Sequence, residues 1–325
     1  MQQRKKTVCK RFGWGSALTV LAVCWAANVQ AEEAQPAEIM PLAPKSLLLD
    51  LADTGENYVA VGERGHILLS ADGQSWKQVN VPTRNMLTTV YFTDGNNGWA
   101  GGHDSSIVHT KDGGKTWSLQ NWDPELEKPV LDVFFLDSER GFAIGAYGLL
   151  LRTFDAGQTW EQHDDPITED ELHFSALARL GDGTLLMAGE AGSLARSFDE
   201  GETWEAMDSP YEGSFFDVVP RGEKGAVVLG LRGNAFVAED VTTATADSWL
   251  RLQTNTQQSF MGGTMMPNGN VALVGINGVV LVVSPDNSTT LLENPENMGL
   301  SGVISMRDGS ALLTSGEGGT YIFKR

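Results

Sequence analysis

Short apolar runs recur along this chain, each closing on a glycine and each followed a few residues later by a second run. The glycines are Gly62, Gly102, Gly145, Gly189, Gly230, Gly275 and Gly316, spaced by 40, 43, 44, 41, 45 and 41 residues. The runs before them are alike: Val59-Ala-Val-Gly62, Phe142-Ala-Ile-Gly145, Leu186-Met-Ala-Gly189, Val228-Leu-Gly230 and Ala272-Leu-Val-Gly275. Stretches this short and apolar on both sides fit strands buried in mid-sheet. A repeat of this length with this content predicts one small sheet per repeat. The expected fold is therefore all-β, a seven-bladed β-propeller of four-stranded antiparallel blades.

The third repeat shows the pattern most fully. Val130 to Leu136 alternates and is rich in β-branched and aromatic residues, as an inner strand should be. A turn at 137–141 leads to the buried strand Phe142 to Ile144, and Gly145-Ala-Tyr-Gly148 turns the chain into Leu149 to Thr153. Then comes Thr153-Phe-Asp155-Ala-Gly157-Gln-Thr159-Trp160, a hairpin leading to an outer strand. The same hairpin recurs around Asp112 and Trp117 and around Asp199 and Trp204, with a copy one residue shorter around Asp72 and Trp76. Asp247-Ser248-Trp249 is a worn remnant. The Asp carboxylate can accept turn N–H groups, the Gly permits a left-handed backbone, and the Ser or Thr hydroxyl ties the turn. The Trp covers the blade edge with a large apolar face. This is the Asp box, and its Asp72, Asp112, Asp155, Asp199, Trp76, Trp117, Trp160 and Trp204 are expected to be structural. The last two repeats lack it. The seventh ends without an outer strand, so the N-terminal segment Glu38 to Leu42, within 36–42, is expected to complete that blade and close the ring.

Residues 1–31 have the layout of a secretory signal: basic residues between Arg4 and Arg11, an apolar middle from Ala17 to Ala27, and a small-residue cleavage site at Val29-Gln30-Ala31. Residues 32–325 are then one propeller domain, exported to the periplasm and without a membrane span of its own. Both cysteines, Cys9 and Cys24, lie in the signal, so the mature chain has no thiolate metal site. The net charge of −19 becomes −24 once the signal is gone, which argues against nucleic acid and anionic lipid as partners. Acidic residues crowd the link 161–171, but without metal-ligand spacing. No metal or cofactor is expected. His163 and His173 should face solvent.

The run Val59 to Ser70 with Asp72-Gly73 and Trp76, and the copies Gly98-Trp-Ala-Gly-Gly102, Gly141-Phe-Ala-Ile-Gly145 and Gly189-Glu-Ala-Gly192, resemble the repeat of the photosystem II stability and assembly factors. That resemblance covers essentially all of 32–325. It implies a seven-bladed, non-catalytic assembly factor that binds a membrane-protein subunit through an arginine-containing surface. It also implies, for relatives in non-photosynthetic bacteria, association with exporters of the RND/MMPL type. Arg64 and Arg232 match the family's Gly-x-Arg-Gly turn. The equivalent turns elsewhere hold Asp104, Tyr147, Ala191, Asn277 and Gly318, and the acidic balance departs from the family pattern.

The candidate partner-binding residues are Arg64, Tyr147 and Arg232 at these turns, with Trp122 and Tyr211 on links between blades. The alternative is a sialidase-like glycoside hydrolase, since Asp boxes occur in that class. It needs three arginines around a substrate carboxylate and a Tyr–Glu nucleophile pair. Arg64, Arg84 and Arg232 are the available arginines, but the Arg-Ile/Leu-Pro sequence expected before the first box is absent.

Overall fold

The computed structural model describes residues 33–294 and 297–324. The propeller unit begins at Ala34. The proposed signal 1–31 lies outside the described residues. Seven antiparallel sheets follow one another in chain order, six of four strands and the last of three. Their first strands are Leu48–Asp53, Leu87–Phe92, Val130–Phe135, Phe174–Arg179, Phe215–Arg221, Phe260–Met265 and Leu300–Ser305. In the third blade the strands are Val130–Phe135, Gly141–Gly145, Leu150–Thr153 and Glu161–Gln162, close to the sequence reading. Every second strand is buried throughout, as Tyr58–Gly62 and Leu185–Gly189 illustrate.

The periodic glycines have a steric cause. At Gly62 φ is −178°, an extended backbone open to any residue. The constraint is crowding, because a β-carbon there would overlap the carbonyl oxygen of Leu47. The same holds at Gly102 with Met86, Gly145 with Pro129, Gly189 with His173, Gly230 with Ser214, Gly275 with Ser259 and Gly316 with Gly299. In each case the next residue's N–H donates to that same carbonyl, from Glu63 N–H to Leu47 O at 3.1 Å through Glu317 N–H to Gly299 O at 2.9 Å. The glycine lets the chain leave the second strand while tied to the entrance of the first.

The core lies between blades. Val59, Val61 and Ile67 of the first blade pack with Leu87, Val90, Ala100 and Trp117 of the second. Phe142 and Ile144 of the third pack with Phe174, Met187 and Trp204 of the fourth. The ring closes in the same way, since Leu51, Ala60 and Leu68 of the first blade share a cluster with Leu313 of the seventh.

Closure by an N-terminal strand is corrected. Residues 36–42 form no strand. Ala37 N–H donates to Val81 O (3.0 Å), and the Gln78 side chain bonds Met40 N and Glu38 O, all on the outer side of the first blade. The seventh sheet keeps three strands among the described residues. The next segment, Ala43–Lys45, is a 3-10 turn buried at Ala43, and it seats against the Gly319 turn of the seventh blade. It takes the place that an interblade link has elsewhere in the ring.

Candidate docking face

Because the strands of each blade alternate in direction, turns after the first and third strands gather at one end of the ring. Turns after the second strand and the links between blades gather at the other. The Asp boxes occupy the first end. In the second blade Asp112 Oδ1 accepts from Thr116 N–H (2.8 Å) and Thr110 Oγ1 (2.9 Å), and its Oδ2 from Thr116 Oγ1 (2.7 Å). Thr110 Oγ1 in turn accepts Gly114 N–H, and Trp117 Nε1 donates to Gly114 O at 2.8 Å. Asp155 and Asp199 repeat this arrangement, and Asp72 does so in the shorter turn. Each box also seats on the preceding blade: a β-carbon at Gly201 would meet the Phe142 ring, and one at Gly114 would meet Leu69. The boxes are joints between blades.

The opposite end carries the candidate docking residues. Arg64, Asp104, Tyr147, Ala191, Arg232 and Asn277 all adopt the left-handed conformation, with φ between 52° and 58°. Six non-glycine residues in this region, each the second residue after its repeat glycine, mark one turn built six times over. That conformation points the side chain away from the sheet. Arg64, Tyr147 and Arg232 are exposed there, and Tyr147 stands edge-on to His173 at 4.7 Å. Tyr211 is different. Its ring packs 5.9 Å from both Phe215 and Phe236, and its hydroxyl faces Leu231 O, so most of it belongs to the fifth blade's core. Trp122 is half-buried in its link.

One histidine expectation changes, that for His163, while His173 stays partly exposed. His163 is buried, and His173 lines the central channel with Glu190 3.8 Å away. In the acidic link Asp165 is buried as well, accepting from Ile167 N–H and Trp204 N–H, so this carboxylate fastens the fourth box. Among the described residues no group of three or more His, Cys, Asp or Glu is placed to hold a metal ion.

Six cations at the box end have carboxylate partners, whereas Lys111, Arg179 and Arg221 there have none among the described residues. At the box end Lys115 pairs with Glu56, Arg140 with Asp137 and Glu200, Arg152 with Glu202, Arg196 with Glu205, Lys224 with Asp240 and Arg307 with Asp53. At the turn end Arg64, Arg84, Arg232 and Arg251 are exposed, and among the described residues none has a carboxylate partner. Arg64 donates to Met40 Sδ (3.8 Å), and Arg251 to Asn234 Oδ1 (2.7 Å). Arg64 and Arg84 sit at the first blade and Arg232 at the fifth, so three guanidinium groups do not converge on one point.

The aspartates of the axial channel are a feature that sequence reading missed. A cavity of about 390 Å³ is lined by the first strands of all seven blades, with Asp50, Asp132 and Asp217 in its wall. Burial pushes these carboxyls up to about 6, 7 and 8 respectively. The signal was readable: an Asp stands in mid-strand in Leu48-Leu-Asp50-Leu51, Val130-Leu-Asp132-Val133 and Phe215-Phe-Asp217-Val218, in alternate repeats.

A closed ring of seven small sheets, with Asp boxes at one end and exposed arginines at the other, defines a β-propeller. Residues 68–308 match the family model of the Photosynthesis system II assembly factor YCF48. The chain belongs to that family. A 47-residue stretch is 43% identical to the chloroplastic photosystem II stability/assembly factor HCF136 of Cyanidioschyzon merolae, covering 14% of this chain and 11% of that protein. The chain thus spans about a tenth of that relative. Among solved structures it is similar to YCF48 bound to D1 peptide (TM-score 0.69, 17% identity, 91% of this chain and 96% of that one). It is also similar to YCF48 from Cyanidioschyzon merolae (TM-score 0.68, 14% identity, 90% and 99%). The WD40 propeller domain of Doa1 follows at TM-score 0.65 and 13% identity, covering 90% and 96%.

Proposed function

We propose that this protein is a non-catalytic assembly or docking scaffold that binds a membrane protein through the turn end of the ring. The carrying observation is the turn end itself, where Arg64, Arg84, Arg232 and Arg251 are exposed without a carboxylate partner among the described residues, although the chain is strongly acidic. Unpaired, planar donors suit the carboxylates and carbonyls of a partner segment. Family membership supports the same reading, since a structurally similar YCF48 is described as bound to a peptide of D1. The secretory layout of 1–31 supports action in the periplasm, and an exporter of the RND/MMPL type is the partner to test first.

Affinity purification of the tagged protein from detergent-solubilised membranes tests the class of function. Recovery of a polytopic membrane protein by the parent, and its loss in Arg64→Glu and Arg232→Glu variants that keep the parental melting temperature, is the expected result. Equal recovery by parent and variants would move the interface off this end. No recovery, together with glycosidase activity in the soluble protein, would favour the hydrolase.

A further inference from the structure

The first strand of each blade carries a bulge just after the residue paired with the repeat glycine, as between Leu48 and Asp50. Past the bulge stand Asp50, Asp132 and Asp217 in blades one, three and five. Each carboxylate makes the same two bonds. Oδ1 accepts its own strand's next N–H, from Leu51 (2.7 Å), Val133 (2.8 Å) and Val218 (2.7 Å). Oδ2 crosses to the next blade, accepting from Val90 (2.8 Å), Leu177 (2.8 Å) and Gly263 (2.7 Å). Thr89 Oγ1 adds a third bond to Asp132 at 3.0 Å. The clamps therefore span joints one–two, three–four and five–six.

Among the described residues no cationic side chain bonds these carboxylates. The strands packed around them carry Tyr91, whose hydroxyl bonds Phe135 O, and Arg179, Arg221 and Asp53 at the box end. Arg221 is held by Asn287 and Pro285 O, and Asp53 by Arg307. His173 at the channel wall faces Glu190. The rest of the wall mixes apolar Leu49, Leu131, Phe216 and Met261 with the hydroxyls of Thr88, Thr89, Ser175 and Ser301. Three half-buried carboxylates line one channel, where partial desolvation and mutual repulsion both disfavour charge.

We propose that Asp50, Asp132 and Asp217 form a proton-sensitive fastening of the ring, strained when all three are ionised. The clamp bonds favour each ionised carboxylate, while partial burial and mutual repulsion in the shared channel oppose charging all three. Their folded-state acidities, raised to about 6, 7 and 8, give the direction. An unfolded chain loses these protons near pH 4, whereas the folded ring holds them until pH 6 to 8. Stability from this source is complete below pH 4 and is lost as pH rises through 8.

Two measurements on the full-length mature protein test this. Carboxyl carbon NMR should show three resonances titrating above pH 5, one lost in each of Asp50→Asn, Asp132→Asn and Asp217→Asn. The melting temperature should fall by roughly 10 °C or more between pH 5.5 and 8.5, and each substitution should flatten that fall. If a variant fails to fold, the parental titration decides alone. All three resonances titrating below pH 5, or a fall in melting temperature that the substitutions leave unchanged, overturns the proposal.

Discussion

Asp72 at a box hairpin and Asp132 in the channel hold almost the same hydrogen bonds, yet their acidities move in opposite directions. Asp72 accepts two backbone N–H groups at 2.8 Å and the Ser70 hydroxyl at 3.0 Å. Asp132 accepts two backbone N–H groups at 2.8 Å and the Thr89 hydroxyl at 3.0 Å. The bonds from Ser75 and Gln74 bring Asp72 down to about 2, whereas burial pushes Asp132 up to about 7. With the bonds matched, the difference is water. At the hairpin the charged form keeps its hydration and gains donors. In the channel it loses hydration and faces two more carboxylates, and three hydrogen bonds do not offset that loss. One residue type thus makes two kinds of joint, one favouring the ionised form and one the neutral form.

The largest expected effect comes from removing a channel clamp. Asp132→Ala strands the N–H groups of Val133 and Leu177 in a buried joint and should cost about 2–5 kcal/mol by denaturant unfolding. A cost no larger than that of a box substitution would erase the distinction between the two regions. Asp199→Ala removes acceptors from a solvent-facing turn, where water can replace them, and about 1 kcal/mol is expected, with membrane-protein recovery unchanged. Loss of recovery at parental stability would place the interface at the box end.

The two regions should also separate on the pH axis. Box carboxyls are held below their usual range, at Asp155 chiefly by the N–H and hydroxyl of Thr159. Their contribution is present above pH 4 and lost as pH falls toward 2. Thermal melts from pH 5 down to 2 should therefore show an acid arm that is shallower in Asp155→Ala and unaltered in Asp217→Asn. An acid arm that changes only in the channel variant would reverse the assignment. Smallest of all, Glu56→Gln breaks the exposed pair with Lys115 and should shift stability by less than about 0.5 kcal/mol. A larger loss would mean that the box-end pairs act as a network.

Much of this was legible because the repeat samples one local solution seven times. Glycine spacing, the box residues and the turn positions of Arg64, Tyr147 and Arg232 depend on contacts within one blade or its entrance, and such contacts leave a mark at a fixed offset in sequence. The links were harder to read. Tyr211 and Trp122 have the same standing in sequence, but Tyr211 finds Phe215 and Phe236 to pack on and Trp122 stays half-buried outside the core clusters. His163 looked like a solvent residue on an acidic link and is buried instead.

The sequence by itself determined the number of blades, their strand order and the chemistry of the box hairpins, because hydrophobic period and turn residues act over a few positions. The tertiary structure alone decided how the ring closes: residues 36–42 carry strand-like composition, yet the outer edge of the first blade offers Gln78 and Val81 as nearer partners. It alone also decided what the mid-strand aspartates are. Asp50, Asp132 and Asp217 stand more than 80 residues apart in sequence and meet only when seven first strands converge on one axis. Their acidity comes from the cavity they share, and a cavity belongs to the assembled ring rather than to any one repeat.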